Sequence, residues 1–188
     1  MPPKTKYTKE QITDAAFGIV RAGGMSALSA RSLANALHTS TAPLFTVFDS
    51  IGEIRDEVTK KAKTLYTDYL REGLGQTVPF KGAGMKYIEF AKDEPELFKL
   101  LFMSGNGSET ITHFLPEFDE NSPTVLEALK DSRGIDSEKA RRLYNHMSVY
   151  AYGFASLFAQ GINIFTMDDI ARMMSEVFTA MMKYGEET

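Results

Sequence analysis

A chain of 188 residues with no cysteine, 43% hydrophobic and 24% charged, has the composition of a globular protein with a sizeable core, and it excludes disulfide and thiolate chemistry. No run of about 18 apolar residues is present, so a membrane-spanning helix is excluded, and Met1-Pro2-Pro3-Lys4-Thr5-Lys6 leads into no apolar segment, so a cytoplasmic chain without a signal peptide is expected. The net charge of −4 is uneven: residues 1–60 hold seven Lys/Arg against six Asp/Glu, and residues 61–188 hold fourteen against nineteen. A nearly neutral N-terminal part on an acidic remainder tolerates a nucleic-acid partner without arguing for one.

The elements are all helical. Thr8-Lys9-Glu10-Gln11 is a capping box, followed by Ile12, Ala15, Ala16, Ile19 and Val20 at helical spacing and closed by Gly23-Gly24. Ser29 caps a second short helix with Leu33, Ala34 and Leu37 on one face. His38-Thr39-Ser40 is a polar turn, and Leu44 and Phe48, four residues apart, predict a third helix over Thr41 to Phe48. Ser50-Ile51-Gly52-Glu53 is a further capping box. It opens a long helix through Ile54, Val58, Ala62, Leu65 and Tyr69 that ends near Gly73–Gly75. Beyond Lys81, Met85, Ile88 and Phe90-Ala91 give an amphipathic helix broken at Pro95 and resumed by Leu97-Phe98 and Leu100 to Phe102. Residues 104–108 form a loop, and residues 109–134 a shorter helical pair punctuated by Pro116 and Pro123. Asp136 or Ser137 caps a long helix carrying Leu143, Met147, Tyr150, Phe154 and Phe158. A last helix opens at Thr166 with Asp168-Asp169 in its first turn and bears the stripe Ile170, Met173, Met174, Val177, Phe178 and Met181. The expected organisation is all-α: residues 1–50, a connecting helix over 51–75, and a larger helical bundle over 76–188.

Two brief helices joined by a turn of three or four residues form the helix-turn-helix pattern, whose second helix enters the major groove of double-stranded DNA. Leu33-Ala34, Leu37 and Ser40 to Phe48 resemble the N-terminal domain of the TetR-family transcriptional regulators. Lys86 to Ala91 with Pro95, Leu97-Phe98 and Leu100 to Phe102 is similar to one subgroup of their C-terminal domains, although Tyr152-Gly153 stands where that subgroup carries His-Gly. The resemblance implies a sequence-specific DNA-binding homodimer, a repressor released from a palindromic operator by a small apolar or aromatic effector, with no cofactor. Many relatives have Tyr, His and Lys where this chain has Phe45, Val47 and Gly52, which removes phosphate contacts.

The candidate DNA-binding residues are Lys6, Ser29, Arg31, Thr39, Ser40, Thr41, Ala42, Pro43, Phe45 and Thr46. Outward Ala, Thr and aromatic side chains meet thymine methyls in the major groove, and hydroxyls donate to phosphate or base edges. The start of the helix at Ser29 offers free amides to a phosphate, and Lys4, Lys6 and Lys9 supply positive charge. Tyr87, Phe90, Phe98, Phe102, Phe114, Tyr150 and Phe154, with Phe118 and Phe158, are candidates to line an effector cavity, each also fitted to plain core packing. Gly153, Ser156, Ile170, Met173, Met174, Val177, Phe178 and Met181 are the candidate dimer face. Enzyme chemistry is not expected: His38, His113 and His146 are scattered, and no HExxH, P-loop or GxSxG motif is present. The rival expectation is a dimeric ligand-binding or protein-adaptor module with little DNA affinity.

Overall fold

Helix α1 (Lys9–Gly23) starts at a complete capping box: the Thr8 hydroxyl accepts from the Gln11 amide at 3.1 Å, and the Gln11 side chain accepts from the Thr8 amide at 2.9 Å. Ile12, Ala16 and Val20 are its buried face. Gly24, at φ 74, turns the chain out with its amide on the Val20 carbonyl. A 3₁₀ turn (Met25–Ala27) inserts Leu28 into the core ahead of α2 (Ala30–Ala36), where Ser29 and Ser32 cap each other reciprocally. At the end of α2 the Thr39 amide bonds the Ala34 carbonyl (2.9 Å) and the His38 amide the Asn35 carbonyl (3.0 Å). These are the two bonds of a Schellman end, with His38 at φ 51 where glycine is usual.

The helix expected over Thr41 to Phe48 is a single 3₁₀ turn, Leu44–Thr46. Pro43 lacks an amide donor and biases Ala42 away from helical geometry. Ser50 is already extended as the cap of the next helix (φ −157, ψ 166), so too few residues remain between them for an α-helical ladder. The inward pair is as the spacing predicts: Leu44 and Phe48 are fully buried.

Helix α3 (Ile51–Leu74) runs 24 residues, about 36 Å. Its cap is half of the expected box: the Ser50 hydroxyl accepts from the Glu53 amide, but the Glu53 carboxylate turns to the Asp49 amide at 2.9 Å. The buried series Ile54, Val58, Ala62, Tyr66, Leu70 advances by four residues per step, so it winds slowly around the helix axis. The first half therefore packs on α1 and the second on α4 (Pro79–Asp93), while Leu65 and Tyr69 are only half-buried. Helices α3 and α4 lie antiparallel across a short connection. Where they cross, a Cβ on Gly73 would stand 2.5 Å from the Gly82 carbonyl oxygen, and a Cβ on Gly82 would overlap the Gly73 carbonyl.

Glu94 both ends α4 and precedes Pro95, the first residue of α5 (Pro95–Phe102). Then follow α6 (Ser122–Arg133), α7 (Ser137–Ala159), capped by Asp136 on the Glu138 and Lys139 amides, and α8 (Met167–Tyr184), opened by a Thr166–Asp169 capping box. Helix α4 is central, packing on α3, α5, α6 and α7, and α8 lies against α7. This computed structural model describes residues 7–103 and 122–184, and over them the chain has eight α-helices and no strand. Among the described residues no helix is long and apolar enough to cross a membrane. Lys4, Lys6, the 104–108 loop, His113, Phe114 and Phe118 lie outside them.

Gly73→Ala or Gly82→Ala is expected to lower stability by about 2–3 kcal/mol through overpacking. Gly18→Ala, in open space on α1, is expected to raise it by about 0.5–1 kcal/mol. Urea denaturation of the three variants checks this contrast; three equal effects would show that α3 and α4 do not depend on that contact.

Candidate functional site

Three regions carry the chemistry: the surface around residues 39–46, a cavity in the bundle, and the elbow at Glu94. The first is built on Leu33, Leu44 and Phe48, all buried, which hold the turn down and leave its other side outward. Ser40, Thr41, Ala42, Phe45 and Thr46 are exposed, Phe45 by 45%, whereas Thr39 and Pro43 are half-buried. Phe45 is not packing against the body. Thr46 donates its hydroxyl to the Pro43 carbonyl at 2.7 Å, so only its lone pairs and methyl face outward. The Ser29 hydroxyl accepts from the Ser32 amide, so it closes the start of α2 rather than leaving that amide open to a phosphate. Tyr7 donates to the Leu37 carbonyl at 2.6 Å, fixing the chain just after residues 1–6 against the end of α2.

Most positive charge in this region is already paired. Lys9 reaches Glu53 (3.2 Å) and Glu57 (3.3 Å), and its ammonium lies over the Phe48 ring. The Glu53 hydrogen bond is the main cause of its raised pKa. Lys60 also pairs with Glu57, Lys61 with Asp14, and Arg55 donates to the Leu28 carbonyl. Arg31 is exposed and makes no ion pair among the described residues.

The cavity, about 320 Å³, lies among α3, α4, α6, α7 and α8. Its walls are apolar, with Leu70, Ala83, Met147 and Ala151 among them, and Phe80, Tyr144 and Phe178 form an aromatic frame (Phe80–Phe178 5.8 Å, Phe80–Tyr144 6.3 Å). Of the sequence candidates only Tyr87 lines it. Phe90, Phe98 and Phe102 instead pack with Tyr66 and Tyr87 in a cluster of tilted and edge-on rings 4.9–6.1 Å apart, with Phe90 and Phe98 fully buried. Phe114 lies outside the described residues. The lining the sequence reading misses includes Leu70, Phe80, Tyr144 and Met147, together with small residues, Ala83-Gly84 on α4 and Ala151 on α7, which leave room that larger side chains would fill. Those small positions were the available signal.

The α8 stripe divides between two surfaces. Ile170 is fully buried, and Met174 and Phe178 face the cavity. Met173, Val177 and Met181 line an open apolar groove with Tyr150, Gly153 and Phe154 of α7. The Ser156 hydroxyl is buried without a partner among the described residues.

At the elbow, Arg21 on α1 holds Glu94 through two hydrogen bonds, Nε to Oε2 at 2.6 Å and Nη2 to Oε1. The Glu94 side chain is 3% exposed and the Arg21 side chain 56%, so the carboxylate is desolvated beside a cation still in contact with water. That contact raises the arginine pKa. Next to it Tyr69 donates to Asp93 at 3.3 Å, and burial first, the Asp93 charge second, push its hydroxyl up to about 12. Lys86 bridges α4 to Glu72 of α3 at 2.8 Å. Among the described residues no group of three or more His, Asp or Glu side chains gathers at metal-binding distance.

Comparison with models of protein families gives no match for this chain, and comparison with curated proteins gives none either.

Arg21→Met leaves the Glu94 carboxylate buried without its cation and is expected to cost about 2 kcal/mol. Adding Glu94→Gln to that variant is expected to restore part of the loss. A double variant as unstable as the sum of two single losses would show that the two residues act independently.

Proposed function

We propose that the chain is a sequence-specific DNA-binding transcriptional regulator of the TetR type: a homodimeric repressor with a helix-turn-helix head, released from a palindromic operator by a small effector bound in the helical body. The observation that carries this reading is the outward face of residues 40–46. An exposed Phe45, with Thr41, Ala42 and Thr46 around it, stands on a turn whose inner residues Leu44 and Phe48 are fully buried. Apolar and hydroxyl side chains displayed together on a rigid base suit thymine methyls and base edges. Arg31 supplies a phosphate contact. The groove of α7 and α8, lined by Met173, Val177 and Met181, suits a twofold four-helix interface, and the cavity suits the effector.

A second reading is favoured by one observation. The reading element is a single 3₁₀ turn, and Lys9 and Lys60 in its region are neutralised by acidic partners. A dimeric ligand-binding or adaptor module would need no free cations there.

Selection of random duplex DNA by the purified protein at low salt, followed by sequencing, separates the two. The regulator reading predicts enrichment of an inverted repeat. On the enriched site, Thr41→Ala is expected to weaken binding by about 1–3 kcal/mol, while Arg31→Ala weakens all sequences alike. Folded protein that enriches nothing would favour the adaptor.

A further inference from the structure

We infer that the bundle cavity takes a small apolar carboxylate, anchored at the mouth by Arg133 and Lys81. The inference rests on the cavity being the effector site, and it replaces a purely apolar effector with one carrying an anionic head.

The first argument is the balance of charge. Lys81 and Arg133 both line the cavity, and among the described residues no aspartate or glutamate does. Neither cation has an ion-pair partner among the described residues, in a chain of net charge −4 where Lys86, Lys99 and Lys130 are all paired. Two unpaired cations at the rim of an apolar void make a field that draws in an anion and opposes a cation.

The second argument concerns donors. Three hydroxyls on the lining bond within their own helices: Ser132 to Leu129, Ser175 to Ala171 at 2.7 Å, and Thr179 to Ser175 at 2.7 Å. Their hydrogens are not available to a ligand. Ser148, Tyr66, Tyr87 and Tyr144 also bring hydroxyls to the lining, and among the described residues Lys81 and Arg133 are its charged donors. Arg133 is also held in place. Its guanidinium lies 5.2 Å from the centre of the Phe178 ring, itself part of the lining, so the planar fork is oriented while its N–H groups stay open. A planar fork with five donors and no acceptor matches a carboxylate.

The third argument is size. A cavity of about 320 Å³ is near the lower end of small-molecule sites, about 300–1,000 Å³. It therefore suits one short chain or a single ring rather than a large conjugate. The apolar part would lie among Leu70, Ala83, Met147 and Ala151, with its carboxylate at the mouth.

The test uses the full-length protein and three probes with the same ten-carbon chain: decanoate, 1-decanol and decylammonium. Each is titrated against bound N-phenyl-1-naphthylamine, a neutral fluorescent dye. Decanoate is expected to displace the dye. In the double variant Lys81→Gln, Arg133→Gln, decanoate is expected to weaken by about tenfold, 1-decanol to be unchanged, and decylammonium to improve. Both positions are exposed, so the variant keeps its fold, which its circular dichroism checks. Ala151→Phe, which fills the void, is expected to abolish displacement by all three probes. Decanoate binding that is indifferent to the double substitution would overturn the carboxylate assignment and leave the effector cavity standing. A protein that binds neither the dye nor any of the three probes would overturn both.

Discussion

Where α3 and α4 cross, the carbonyl of Gly73 meets the backbone of Gly82 and Ala83 with no side chain between them. That approach is possible only because both positions are glycine, and it sets the geometry of the neighbouring helices. It draws α4 close enough for Tyr66 and Tyr69 of α3 to pack edge-on or tilted against Phe90, and for Lys86 to reach Glu72. The same short run, Gly82-Ala83-Gly84, then has a second effect one residue later. Gly84 faces α8, where a Cβ would only touch the Met174 methyl, and with Ala83 it leaves the space that becomes the cavity. Close packing on one side of α4 and a void on the other thus arise from three consecutive small residues.

Helix α3 carries that arrangement to the N-terminal segment without a break. Its first half packs on α1 and its second on α4, and the Arg21–Glu94 pair ties the end of α1 back to the turn between α4 and α5. Gly24 makes the same junction tight, since a side chain there would meet the Glu96 carboxylate. Tyr66 and Tyr87 line the cavity and also join the ring cluster with Phe90, which lies one turn before Glu94. The proposed reading surface and the proposed effector cavity are therefore joined through packed side chains and one bidentate ion pair. Such a network supports coupling in a two-state protein, and its strength is set by how differently each ligand binds the two states.

Much of the local structure is legible in the sequence. Thr8 with Gln11, Ser29, Asp136 and Thr166 with Asp169 each cap the helix that their residue types and spacing predict. The break at Pro95 and the burial of Leu44 and Phe48 follow from the same rules. The 3₁₀ turn does not, because two apolar residues four apart satisfy an α-helix and a shorter turn equally, and the restrictions from Pro43 and Ser50 act together. The α3 face is blurred for a related reason: Leu65 and Tyr69 compete with Tyr66 and Leu70, and only the crossing with α4 decides between them. The cavity is the least legible feature. Aromatic residues at helical spacing mark the packed cluster of Phe90, Phe98 and Phe102, whereas the void is marked by Ala83, Gly84 and Ala151 on helices distant in sequence.

The proposed DNA-reading surface is tested most directly by hydrogen exchange, followed peptide by peptide on the full-length protein with and without duplex DNA enriched from a random pool. The account predicts that the duplex slows exchange across residues 29–48, where the exposed Thr41, Phe45 and Thr46 stand over a buried base. Unchanged exchange there, or protection confined to α7 and α8, would contradict it.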